Sequence, residues 1–150
     1  MDAVTYPETV VVDFIQKNLI PVRLQFDAQP YHSHFNAQWT PTLVTLDSAG
    51  KEHHKTTGFL APEDLIPSLM LGIAKCQFAL EQFTEAIATI DNLLKDHAKS
   101  HSAPEAIYYL GVSRYKSTHN PEPLKVAYTR LKNEYPNSEW TKRAYPYSLL

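Results

Sequence analysis

The sequence predicts an α/β segment followed by an all-α segment, with a boundary near residues 72 and 73, and three observations carry that reading. Val22, Leu24 and Phe26 alternate with Arg23, Gln25 and Asp27, the two-residue repeat of a half-buried strand. Leu43, Val44 and Leu46 make a second short apolar run directly after Trp39-Thr40-Pro41, where a proline suits the first position of a strand because it cannot donate to a ladder. Beyond Pro62 the period becomes helical. Leu69, Ile73, Cys76 and Leu80 recur at 4-3-4 spacing, and Phe83, Ile87, Ile90 and Leu94 repeat it.

In chain order, residues 3–18 predict a helix with Val4, Val10, Val11, Phe14 and Ile15 on one face and Pro7 offsetting its first turn. The first strand follows after Asn18. Residues 28–38 predict a short helix crossing to the other side of the sheet. Asp47-Ser48-Ala49-Gly50 is a turn, since aspartate and serine favour its opening and glycine supplies positive φ at its close. Lys51 to Thr57 then returns as a polar edge strand, which makes about three strands in all. Pro62-Glu63-Asp64 starts a helix, with proline in the first turn and acids at the positive end of the dipole, and Pro67 predicts a kink or a restart. A turn near Gln82 pairs this helix with the next. Ser102-Ala103-Pro104-Glu105 and Asn120-Pro121-Glu122 open two more helices, and residues 139–147 predict a capping helix.

Composition excludes several function classes. The 150 residues carry 14 basic and 16 acidic side chains without a concentrated basic face, so neither nucleic acid nor an anionic membrane is the expected partner. No apolar run approaches the roughly 20 residues that span a bilayer, and no signal-peptide pattern opens the chain, so the expected location is the cytoplasm. The seven histidines show no zinc-type frame: His32 and His34 share a face only if extended, and His53 and His54 point to opposite faces of a strand. No metal site, cofactor, phosphate loop, paired-carboxylate site or serine-histidine arrangement is therefore expected. Cys76 stands alone and reads as a buried structural thiol.

Two resemblances add to this reading. Thr40-Pro41-Thr42 before an apolar strand, followed by Asp47 to Gly50 and Gly58-Phe59, resembles the second half of a thioredoxin domain, over residues 1–72. The resemblance implies a cis Thr40-Pro41 bond, with Trp39 packed beside it, and a rim of Trp39, Thr40 and Pro41 that binds protein. It also implies a Cys-x-x-Cys pair ahead of the first helix and a central strand between the two apolar runs. Neither has a counterpart here, and one thiol cannot perform dithiol exchange. The missing strand leaves three outcomes: the two runs close up, a second molecule supplies the pairing and makes a homo-oligomer, or the gap stays open. Phe83-Thr84-Glu85-Ala86-Ile87 resembles the start of the second helix in tetratricopeptide repeats, whose period is about 34 residues. Tyr108-Tyr109-Leu110-Gly111, Tyr115 and Tyr135-Pro136-Asn137-Ser138 resemble the variant found in bacterial assembly and periplasmic proteins. Leu124 departs from the small alanine of that pattern, and the interval from Gly72 to Ala86 is longer than the family's.

The expected function is a redox-inactive module that binds a protein or extended peptide, in which Tyr108, Tyr115 and Tyr128 could line a peptide groove or, as tyrosines at helical spacing usually do, pack into the core. The alternative is a piece of a thiol-disulfide oxidoreductase whose Cys-x-x-Cys lies upstream of Met1.

Overall fold

A computed structural model describes all 150 residues. The elements are α1 (Thr9–Asn18), α2 (Tyr31–His34), β1 (Thr42–Leu46), β2 (Glu52–Thr57), α3 (Pro62–Ala79), α4 (Phe83–Asp96), α5 (Ala103–Thr118), α6 (Glu122–Glu134) and α7 (Glu139–Ala144), with a closing turn of 3-10 helix over Tyr145–Leu149. The architecture is mostly helical with one two-stranded sheet.

Pro7 delays the first helix. Residues 2–7 wind as turns, anchored where the buried Thr5 hydroxyl donates to the Leu60 carbonyl at 2.7 Å. α1 then lays Val11, Phe14 and Ile15 against Leu65 and Ile66 of α3, which forms a small core of its own.

The hairpin follows from its turn. One Asp47 carboxylate oxygen accepts the N–H groups of Ala49 and Lys51 at 2.9 Å each, and Gly50 takes φ of 81°, where a side chain would be strained. Its other oxygen meets His53 Nε2 at 2.8 Å. β1 and β2 pair antiparallel from Thr42 opposite Thr57 to Leu46 opposite Glu52, with an irregularity between Thr45 and Leu46.

The strand expected at Val22, Leu24 and Phe26 does not form, so the sheet has two strands instead of three. The stretch from Leu19 to Gln25 runs without turn or helix, and the backbone groups of Ile20 to Leu24 make no backbone hydrogen bond. Alternation prepares a strand, but a ladder needs a neighbour, and the chain places none beside this run. His32 and His34 are likewise not extended but helical, in α2.

α3 runs as one helix of 18 residues through Pro67, so the expected restart is absent. Proline there removes one backbone hydrogen bond, that to the Glu63 carbonyl, and the buried flanks of Leu65, Ile66, Leu71 and Ala74 outweigh the loss. The same helix crosses the sequence-derived boundary at residues 72 and 73 without interruption. Leu80, Glu81 and Gln82 turn the chain, with Glu81 at φ of 60°. From α3 to α7 one core holds Leu71, Ile90, Leu93, Ile107 and Leu131 among its members.

One glycine sets how closely α5 and α6 approach. A Cβ on Gly111 would stand 2.5 Å from Ala127 Cβ and 3.0 Å from the Pro123 carbonyl oxygen. Gly111→Ala should therefore cost about 1–2 kcal/mol in a urea titration, since overpacking against a backbone atom outweighs the better helix propensity of alanine. Adding Ala127→Gly to that variant should recover part of the loss.

One polar network ties sheet to helices. His54 on β2 meets Ser68 Oγ at 3.2 Å through Nε2 and Lys75 Nζ at 3.3 Å through Nδ1, and Lys75 donates to Glu105 Oε1 at 2.8 Å. Burial, and then the Lys75 charge, push the His54 imidazole down to about 4, from an ordinary value of 6.5. The folded state thus refuses a proton that the unfolded chain accepts. Stability should be full above pH 6.5 and fall by on the order of 2–3 kcal/mol as pH drops towards 4. Chemical denaturation across that window should show the slope, and His54→Gln should flatten it. Asp47, whose carboxyl is held below the ordinary range chiefly by its hydrogen bond from His53, acts only at lower pH.

Candidate functional site

The residues expected to form the rim stand where the chain enters β1. Thr40-Pro41 is cis, as is Gln29-Pro30. The Thr42 hydroxyl donates to the Trp39 carbonyl at 2.6 Å, and the Pro41 carbonyl accepts the Gly58 N–H at 2.8 Å. Both bonds fix the backbone, and Trp39 as a whole is 68% exposed. Thr40 lines a cavity of about 480 Å³ together with Arg23, Leu24, Gln25 and Phe26. Arg23 is ion-paired with Asp2 at 2.9 Å, on the surface.

The three groove tyrosines separate. Tyr108 on α5 joins an aromatic cluster with Tyr109, Trp140 and Tyr147. The Tyr147 hydroxyl donates to Tyr108 Oη at 3.0 Å. Burial and that hydrogen bond both raise the Tyr147 phenol, so it stays protonated and keeps donating. Tyr128 on α6 belongs elsewhere. Its ring meets Tyr145 edge to face at 6.2 Å, and the two line a cavity of about 310 Å³ with Thr141 and Lys142. Tyr115 is half-buried near the end of α5 and forms no ring pair.

Sequence reasoning passed over Trp140 and Lys142. Trp140 sits under the Arg143 guanidinium, 4.7 Å from its ring centre, an arrangement that favours the cation. A signal existed in Ser138, whose hydroxyl accepts the Trp140 N–H at 3.2 Å and starts α7 in capped geometry. Tyr135 completes the local frame: its hydroxyl donates to the Ala98 carbonyl, and its own carbonyl accepts the Thr141 hydroxyl at 2.6 Å. The Tyr135-Pro136-Asn137-Ser138 stretch is therefore a corner that fixes α7 on α6.

Neither Cys76 nor His54 is poised for chemistry. Cys76 lies half-buried on α3, and burial raises its thiol, as does the Asp47 charge. A raised thiol is a weak nucleophile at neutral pH. His54, the most perturbed histidine, donates and accepts within its own network, so no partner is left for a substrate.

Residues 68–100 and 105–138 each match the tetratricopeptide repeat family. The first match covers most of α3 and all of α4, the second nearly all of α5 and all of α6, so each repeat is one helical hairpin. The thioredoxin resemblance over residues 1–72 has no counterpart among the matches. Neither a curated protein nor a solved structure matches the chain.

Proposed function

We propose that this chain is a protein-interaction module that holds an extended polypeptide segment and performs no thiol-disulfide chemistry. The observation that carries the reading is the pair of matched helical hairpins, because repeats of this family bind proteins or peptides. The cavity of Tyr128, Thr141, Lys142 and Tyr145 offers aromatic faces for apolar side chains and one ammonium for a carboxylate. The exposed Trp39 beside Thr40 and Pro41 supplies a second contact, on the part of the chain read as partially thioredoxin-like. Order of elements supports that last assignment in part: helix, short helix, hairpin and helix follow one another as the resemblance implies, without the strand it implies at Val22 to Phe26.

Selection of binders from a random peptide library on the intact chain tests the proposal. Tyr128→Ala and Tyr145→Ala should each weaken the selected peptides about tenfold, or ~1.4 kcal/mol. Trp39→Ala should weaken them independently. Failure to select any binder, or binding indifferent to all three substitutions, would overturn the assignment.

The redox part has its own measurement. One thiol cannot close an internal disulfide, and the position of Cys76 on α3 keeps it away from a low-pKa environment. Insulin reduction by the chain should equal that of a Cys76→Ala control. A rate above that control would sink the claim.

A further inference from the structure

The phase of the hairpin ladder determines which backbone groups of β1 are spoken for. Gly58 N–H bonds the Pro41 carbonyl, and the register places Thr42 opposite Thr57, so the hydrogen-bonded positions are Pro41, Leu43 and Thr45. The N–H and C=O groups of Thr42 and Val44 consequently point away from β2. This outer edge carries no charge. β2, in contrast, carries Glu52 and Lys55, charges of the kind that keep strands from pairing edge to edge.

The run from Ile20 to Gln25 is the complementary object. The backbone groups of Ile20 to Leu24 have no internal backbone partner, Ile20 is 92% exposed and Val22 76%, and the apolar residues alternate as a strand's do. Pro21 shares one edge with Arg23 and Gln25 and lacks a donor there. The edge of Val22 and Leu24 has its full set. Run and strand foot line one cavity of about 480 Å³, yet they do not pair with each other.

We propose that two copies of this chain associate by reciprocal strand pairing, the Val22 and Leu24 edge of one protomer bonding the Thr42 and Val44 edge of its partner. A second copy is the occupant because one chain carries both halves of the match, each lacking what the other has. Reciprocal use closes the pair with a twofold and leaves no further edge of this kind to propagate.

Light scattering on the 150-residue chain over a range of micromolar concentrations tests it. The expected mass is twice that of the chain. Val44→Pro removes an outward N–H without touching the β2 ladder and should give monomers that keep the β2 amide signals, since proline is tolerated on edge strands. Val22→Lys, at an exposed site, should do the same. An excess of a peptide spanning residues 20–26 should split the dimer. A wild-type chain that stays monomeric throughout would overturn the proposal, as would a dimer untouched by both substitutions, or open-ended aggregation in place of a dimer. Capture of an unrelated strand peptide by a monomeric chain would also overturn it, and would assign the edge to another partner.

Discussion

The close approach of α3 to β1 at Gly72 is the constraint on which the rest of the molecule is built. A Cβ on Gly72 would stand 2.4 Å from Thr45 Oγ1 and 2.9 Å from Thr45 Cβ, so only glycine lets the helix lie this near the hairpin. Contact at that distance buries Thr45 and holds β2 where His54 can reach Ser68 and Lys75 on the same helix. Lys75 in turn reaches Glu105 on α5, with side-chain exposures of 19% and 16%. A pair this far from water recovers little net energy after desolvation, but removing one partner would strand the other. Its value is geometric. The Lys75–Glu105 pair joins α3 to the second repeat, and His54 adds the hairpin to the same network.

Sequence and structure agree where local signals were dense. The proline and acids at Pro62-Glu63-Asp64, the proline at Pro104 and the Asn120-Pro121-Glu122 stretch all mark helix starts that the fold keeps. The Asn120 side chain also accepts the Glu122 N–H at 3.0 Å. Asp47 and Gly50 made the hairpin legible for the same reason: each turn contact lies within a few residues. Period alone failed at Val22, Leu24 and Phe26, because a strand exists only against a neighbour and the neighbour is a non-local fact. Pro67 failed in the opposite direction. A lone proline is a local cost, and tertiary burial on both sides of it overrode that cost.

The site was only half legible, again by range. Trp39, Thr40 and Pro41 are contiguous, so their shared placement at the foot of β1 was bound to follow from their order. Tyr108, Tyr115 and Tyr128 lie on two helices, and helical spacing says which residues share a face without saying which faces meet. The rotation of α6 against α5 was set by Gly111 against Ala127, a contact between two small residues that no aromatic pattern announces. That rotation sends Tyr128 to Tyr145 and leaves Tyr108 to Trp140 and Tyr147.

Two repeats are fewer than the three usually required for a stable stack, so the ends of this array must be covered by something else. At one end the cover is the hairpin and α1, both packed on α3, whose first half belongs to them and whose second half is the first helix of the array. At the other end α7 and the 3-10 turn close the stack, with Trp140 and Tyr147 laid against its core and Ala144 buried within it. A capping element must be polar outside and apolar inside, and α7 meets this with Glu139 and Arg143 paired on its outer face at 3.3 Å. The hairpin meets it less completely. Its β2 side is charged, whereas its β1 side offers bare backbone next to an unpaired apolar run, the edge through which we propose that two copies pair. Stability of the helical array and exposure of that edge are therefore linked through α3: a partner that pairs with β1 would add its stability to the hairpin, which meets the repeats at Gly72 and Lys75.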